Sequence, residues 1–331
     1  MLNWKEWLRD PKNWQNIVIF GSLLFLLPLV AYFTLPGIMS TIVTANFYAM
    51  IGIPLGLMTI GTGRLNFGPN LYIGIGGYAA ALLSVHLGWG PLATFPFAVI
   101  AAVLVALGFS PVVNISKGLY FVLLSLLMPL IFLELTFVYS NIFKGDVGLS
   151  GIEQLITTGM AKLDIIIVCY LSLIIVLLYL FVTHQLIHSR YGLMMSTIND
   201  DEEVAQAVGI NISRIKILTF IASAGMIGVS GWFMAHYFGT FSGISYLPLT
   251  FMMKILLVLI IGGRAQIHGC VVGAYFVAFL EMLLSRLVGN IQPVLFPIIL
   301  FILLLSLPEG LFGLFRKRAY GEYMPTLHVR R

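Results

Sequence analysis

Apolar positions in this chain come in long unbroken runs, not in the alternating or helical stripes of a protein that keeps one face in water. A helix needs about 20 apolar residues to cross the hydrocarbon core of a bilayer. Runs of that order stand at residues 17–35, 38–62, 66–87, 91–113, 118–141, 163–186, 217–238, 246–263, 269–290 and 293–313. The strands of an outer-membrane barrel alternate apolar and polar residues, which these runs do not. The pattern predicts an all-α integral membrane protein, a polytopic bundle of about ten transmembrane helices. One transmembrane domain is expected over 17–315, between an interfacial segment at 1–16 and a basic tail at 316–331. In the first segment Trp4, Trp7 and Trp14 lie among Lys5, Arg9 and Lys12, a composition suited to the headgroup layer of membrane lipid.

Composition agrees with the pattern. Of the 331 residues, 60% are hydrophobic and 9% charged, and the mean hydropathy is +1.01. A soluble domain carries about 25% charged residues, so a water-soluble enzyme is excluded, and so is disorder, which needs low hydrophobicity. The net charge of +5 matters through its placement. Arg64, Lys117, Arg190, Arg214, Lys216, Arg264 and Arg316–Arg318 all fall on the side of the N-terminus, whereas Lys144, Lys162 and Arg286 fall on the other. Basic residues in short loops mark the cytoplasmic face, so both termini are expected inside a bacterial or archaeal cell membrane. Nothing in this distribution suggests a nucleic-acid partner.

No phosphate-binding loop, zinc-protease motif or nucleophile elbow occurs. Cys169 and Cys270 both lie in apolar runs without metal-ligand spacing. The chain is therefore expected to have no catalytic residues, no metal and no cofactor. If it transports a solute with ATP, a partner subunit must bind the nucleotide.

The one extended polar stretch between spans covers 188–216. Asn199 to Glu203 places four adjacent carboxylates where the first turn of a helix favours them. Val204, Ala207 and Val208 then form an apolar stripe, with Gly209 as the stop. The expectation is an amphipathic helix of about three turns. Four carboxylates would be repelled by anionic lipid, which favours a protein partner over a membrane surface.

Ser189-Arg190-Tyr191-Gly192, Asn199-Asp200-Asp201-Glu202, Ala205, Ala207, Gly209-Ile210-Asn211, Lys216 and Phe220 resemble the cytoplasmic-loop signature of the branched-chain amino acid ABC transporter permease family. Gly63-Arg64-Leu65-Asn66-Phe67-Gly68, Lys117-Gly118-Leu119-Tyr120-Phe121, Ile261-Gly262-Gly263 and Pro308-Glu309-Gly310-Leu311-Phe312-Gly313-Leu314 extend the resemblance in consistent order over roughly 45–314. It implies the permease subunit of an importer for aliphatic amino acids. The implied partners are a second homologous permease, two cytoplasmic ATPase subunits and a periplasmic or lipid-anchored binding protein. It also implies that Arg190, Gly192, Asp200, Asp201, Glu202, Ala205 and Gly209 couple to the ATPase. The chain departs from the family pattern at Leu193, Ser196 and Asn199, where basic residues are usual, and at Gly68-Pro69, Phe143-Lys144-Gly145 and Gly262-Gly263-Arg264.

The dense glycines have two readings, close helix packing or broken helices beside a pathway. Gly63, Asn66, Gly68, Gly74, Gly262 and Gly263 are the candidate pathway positions, with Glu134 as an intramembrane carboxylate that either meets solute or braces the bundle. Glu281 is read as a brace toward Lys254 or Arg286. The largest loop on the outer side, 142–162, offers Asp146 and Glu153 for docking of a binding protein. The alternatives are an ABC permease for urea, amides or small carboxylates, and a standalone secondary transporter or channel, which needs coupling carboxylates inside the bundle.

Overall fold

The computed structural model describes residues 38–116, 118–263, 267–292, 295–299 and 302. The expected segment 1–16, the span 17–35, most of the span 293–313, the Pro308–Leu314 block, the tail 316–331, Lys117 and Arg264–Gln266 lie outside the described residues.

Among the described residues, eight helical stretches are long and apolar enough to cross a membrane, and they coincide with the eight runs read between 38 and 290. In chain order the elements are α1 (Ile38–Thr62), α2 (Pro69–Leu87), α3 (Pro91–Ile115), α4 (Leu119–Val138) and the short α5 (Ser140–Phe143). Next come β1 (Leu149–Ser150), α6 (Ala161–Ile187), α7 (Arg190–Asp200), α8 (Glu202–Ala207) and α9 (Ile212–Phe238). Then follow β2 (Thr240–Phe241), α10 (Gly243–Tyr246), α11 (Leu249–Gly262) and α12 (Ile267–Val288), with a 3-10 turn at Gly289–Ile291 after it. α10 and α11 together make one crossing of 20 residues. Proline at the first helical position opens α2 and α3, where its missing N–H costs nothing. Left-handed Gly88 and Gly239 close α2 and α9, a conformation glycine adopts without strain.

α1 and α9 form the centre. α9 packs on α1, α2 and α3, and α1 also packs on α6 and α12. α3 and α4 stand at the rim, with Leu92, Leu104, Leu119 and Ile131 at least half exposed, as suits lipid or a further subunit. Lipid tails are as apolar as leucine, so helices in a membrane are held by close packing of small residues. The contacts bear this out: a methyl group added at Gly231 would lie 2.0 Å from the Ile73 carbonyl oxygen, and one at Gly76 2.2 Å from that of Gly228. Gly262 and Gly269 pack reciprocally in the same way, backbone on backbone.

Two stretches interrupt the regular bundle. Residues 63–68 run without helix between α1 and α2. This stretch climbs into the bundle, since Phe67 N–H donates to Ser125 Oγ at 3.0 Å, six residues or about 9 Å along α4. The second interruption is Leu247-Pro248, between α10 and α11. At the opposite end of the molecule, β1 pairs antiparallel with β2, Leu149 opposite Phe241.

Candidate functional site: a polar segment gripping one end of the bundle

The 188–216 stretch forms two helices instead of the single three-turn helix expected. α7 begins at Arg190 with Ser189 as its cap and stops at Asp200. Asp201 leaves the helical conformation, with φ −158°, and its carboxylate accepts the N–H groups of Glu203 and Val204. That is the N-cap arrangement, and it restarts the chain as α8, only six residues long. The expected stripe also differs. Val204 and Val208 are 52% and 67% exposed, while Ala205 is fully buried in a small cluster with Leu57, Met195, Ile198 and Ile215. Ala205 turns inward while Val204, Ala207 and Val208 all face out, because the cap at Asp201 resets the phase of the helix. Gly209, at φ +83°, ends the helix, and Ile210 N–H returns to the Ala205 carbonyl at 3.0 Å. Gly192 has to be glycine: a Cβ there would sit 1.9 Å from the Ile187 carbonyl oxygen.

The four carboxylates divide by role. Asp200 and Glu203 are exposed. Asp201 is exposed but serves as the cap. Glu202 turns back onto the bundle: the Lys216 ammonium donates to its Oε1, and Arg64 Nη2 lies 3.9 Å from the same oxygen. Lys216 is 3% and Arg64 8% exposed. Arg64 also donates to the carbonyls of Val113 and Ser116 at the end of α3 and lies over the Phe121 ring, 5.7 Å from its centroid. Burial pulls the Arg64 pKa down from the usual guanidinium range, and the Glu202 carboxylate opposes that shift. Cavities of about 390 and 440 Å³ flank this cluster.

Contacts at Gly61 and Gly63 complete the grip. A Cβ at Gly61 would meet Met195 Sδ at 2.8 Å, and one at Gly63, where φ is +67°, would meet Asn199 Oδ1 at 2.4 Å. The polar segment thus holds the end of α1 through Met195, Asn199 and Glu202 in succession. From there the non-helical stretch continues through Asn66, whose Oδ1 accepts Gly68 N–H at 2.8 Å, to Gly68, packed on the Ser125 carbonyl.

Other expected positions separate from this site. Gly74 lies against Leu247 and Phe132 inside the bundle. Gly262 serves helix packing, and Gly263 leaves α11 at φ +105°. Glu134 is on the exposed face of α4, away from Phe121, Ser125, Pro129 and Thr136 on its buried face. Glu281 is a brace: Lys254 Nζ donates to its Oε1 at 2.7 Å, and the Tyr48 hydroxyl donates to its Oε2 at 2.7 Å. The sequence left Lys254 and Arg286 open as partners; the bond is to Lys254. At the far end Asp146 and Glu153 are exposed. The Glu153 carbonyl hydrogen-bonds to His236 Nδ1, whose Nε2 lies 2.7 Å from Thr94 Oγ1. Sequence reading missed Tyr48 and the paired roles of Arg64 and Lys216, because such long-range partners leave no local pattern.

Residues 37–307 match the family described as branched-chain amino acid transport system / permease component. A probable branched-chain amino acid transport permease protein LivH of Methanocaldococcus jannaschii is 22% identical over 258 residues, 74% of this chain and 79% of that protein. The high-affinity branched-chain amino acid transport system permease protein LivH of Escherichia coli K12 is 28% identical over 127 residues, 38% of this chain and 41% of that protein. The LivM protein of the same description from Salmonella typhimurium is 26% identical over 254 residues, 69% of this chain and 59% of that protein. No solved structure matches.

Proposed function

Since the chain belongs to the branched-chain amino acid transport permease family, we propose that it is the membrane subunit of an ATP-driven importer of aliphatic amino acids, with its polar segment 188–216 docked on a cytoplasmic ATPase. The grip of this segment on the end of α1 is the observation that carries the reading. Asp200, Glu203, Val204 and Val208 are exposed beyond the bundle, a mixed acidic and apolar surface that suits a protein partner. Behind them Glu202, Arg64 and Asn199 connect that surface to the non-helical stretch 63–68 and through it to α2 and α4. A push on α7 and α8 therefore reaches the bundle without passing through a flexible loop. In this reading the gripped end is the cytoplasmic one and the protein sits in the cell membrane.

The relatives bear the names of both LivH and LivM proteins, which supports pairing with a second, homologous permease. The apolar rim of α3 and α4, with Glu134 on it, is the face available for that subunit. At the opposite end Asp146 and Glu153 receive the binding protein. A standalone secondary transporter is disfavoured by Glu281, whose charge is engaged by Lys254 within the bundle.

The test is reconstitution in proteoliposomes with the partner permease, ATPase subunits and binding protein, using labelled leucine. Uptake that requires ATP and binding protein together is the expected result. Leucine uptake driven by an ion gradient without ATP would overturn the proposal.

A further inference from the structure

A carboxylate at membrane depth stands on the outside of the bundle. Glu134 lies on the exposed face of α4, four residues or about 6 Å inside the end that leads to the loop with Asp146. The other two carboxylates within the eight crossings are occupied. Asp164, in the first turn of α6, accepts the N–H of Thr158 at 2.9 Å and its hydroxyl at 2.6 Å, and Glu281 holds Lys254. The ion pairs among the described residues belong to Glu202 and Glu281, and Glu134 enters none of them.

The neighbours of Glu134 along the helix are aliphatic. Leu127, Ile131, Glu134 and Val138 follow one another at intervals of four, three and four residues, which sets them in one ridge. Leu127, Ile131 and Val138 are 47%, 50% and 71% exposed, while Phe121, Ser125, Pro129 and Thr136 take the opposite face against the bundle. An aliphatic ridge alone suits lipid. An ionised carboxylate within it does not, since charged groups at membrane depth face protein or a water-filled path. Both are present at a seam between two permease subunits, and the rim of α3 and α4 is the face already given to the second one.

We infer that Glu134 meets the solute at the seam between this chain and the second permease, as the anionic partner of an ammonium group. The ridge supplies the rest of the match. With the ammonium at Glu134, an aliphatic side chain directed inward along α4 rests on Ile131, one turn away, and Leu127 is the next contact on the way in. The ligand class is a primary ammonium that carries a compact aliphatic group, the chemistry of leucine, isoleucine or valine. Solutes with a carboxylate and no ammonium group are repelled. This contact lies outside the buried core of the subunit and beneath the loop with Asp146, so solute released at that loop reaches Glu134 first.

This inference rests on the permease reading, and leucine uptake by the unsubstituted complex tests that reading alone. The residue is tested in the same reconstituted complex with Glu134→Gln, which keeps the shape and removes the charge. ATP-dependent leucine uptake is expected to fall at least 10-fold, while co-purification of the two permeases and thermal unfolding stay unchanged. Contact with water is tested with Glu134→Cys, Cys169 and Cys270 being replaced by alanine. The anionic reagent methanethiosulfonate ethylsulfonate is expected to react there, more slowly while leucine is being transported, and to restore uptake by returning a negative charge. A cationic methanethiosulfonate is expected to restore none. Ile131→Cys, one turn deeper, reads the same seam if Glu134→Cys does not assemble. Undiminished uptake with Glu134→Gln, loss of permease pairing in that variant, or no reaction at the assembled cysteine position would overturn the inference.

Discussion

Glu281 is held from two sides at once: Lys254 Nζ lies 2.7 Å from Oε1 and the Tyr48 hydroxyl 2.7 Å from Oε2, so the carboxylate joins α1, α11 and α12. The ammonium also faces the rings of Tyr48, Phe251 and Phe296 at 5.7, 6.0 and 5.5 Å. Removing one partner of a buried pair strands the other, whereas replacing both by apolar groups is often neutral. The pair is 21% and 26% exposed, so Lys254→Met alone is expected to cost about 2–4 kcal/mol, reduced by that exposure from the range for fully buried pairs. Lys254→Met with Glu281→Leu should regain most of that loss. Thermal unfolding of the purified variants checks it, and a double variant no more stable than the single one would contradict the brace.

The Glu202 cluster should be asymmetric. Glu202→Gln leaves two buried cations, Arg64 and Lys216, without their counter-charge. Lys216→Met leaves only a carboxylate that is 42% exposed and can be hydrated. The first change is expected to cost the polar segment about 1–3 kcal/mol, discounted for that exposure, and the second less. Hydrogen exchange across 190–207 reads the difference directly, and equal protection in the two variants would argue against it.

The remaining carboxylates predict a split between stability and docking. Asp201→Ala removes the cap of α8, at about 1 kcal/mol, and should loosen that helix whether or not a partner is present. Asp200→Lys with Glu203→Lys should leave the segment folded but abolish binding-protein-stimulated ATP hydrolysis by the assembled complex. Full stimulation in the charge-reversed variant would show that the partner lies elsewhere.

Close packing sets a sharp contrast between two glycines. Gly231→Ala drives a methyl group into the Ile73 carbonyl region, 2.0 Å away, whereas Gly108→Ala meets nothing within 4 Å. The first should prevent recovery of folded protein from the membrane. The second should change stability by no more than about 1 kcal/mol, the difference between the two residues within a helix. Size-exclusion profiles of the two variants make the comparison.

The sequence was most legible where the signal is cumulative. Apolar runs located eight crossings because each draws on about 20 residues. Glu281 was read as a brace because an intramembrane carboxylate calls for a partner. The acidic run was misread for a specific reason: aspartate suits both the first turn of a helix and the cap that precedes it. Four acidic residues in a row therefore do not say where one helix ends and the next begins. Asn70, whose Nδ2 donates to the Leu247 and Pro248 carbonyls, carried no sequence signal, since these partners are reached only through the fold. For glycines such as Gly74 and Gly262, composition announced close contact but not which backbone would be approached.

The pairing of Leu149 with Phe241 ties the loop containing Asp146 and Glu153 to the chain that descends to Pro248. His236, bonded to the Glu153 carbonyl, adds a second tie close by. Loop and break are therefore joined by backbone and side-chain hydrogen bonds, so opening at residues 149–152 is expected to accompany loss of the bonds at Asn70, some 20 Å deeper in the bundle, about 14 residues of helix away.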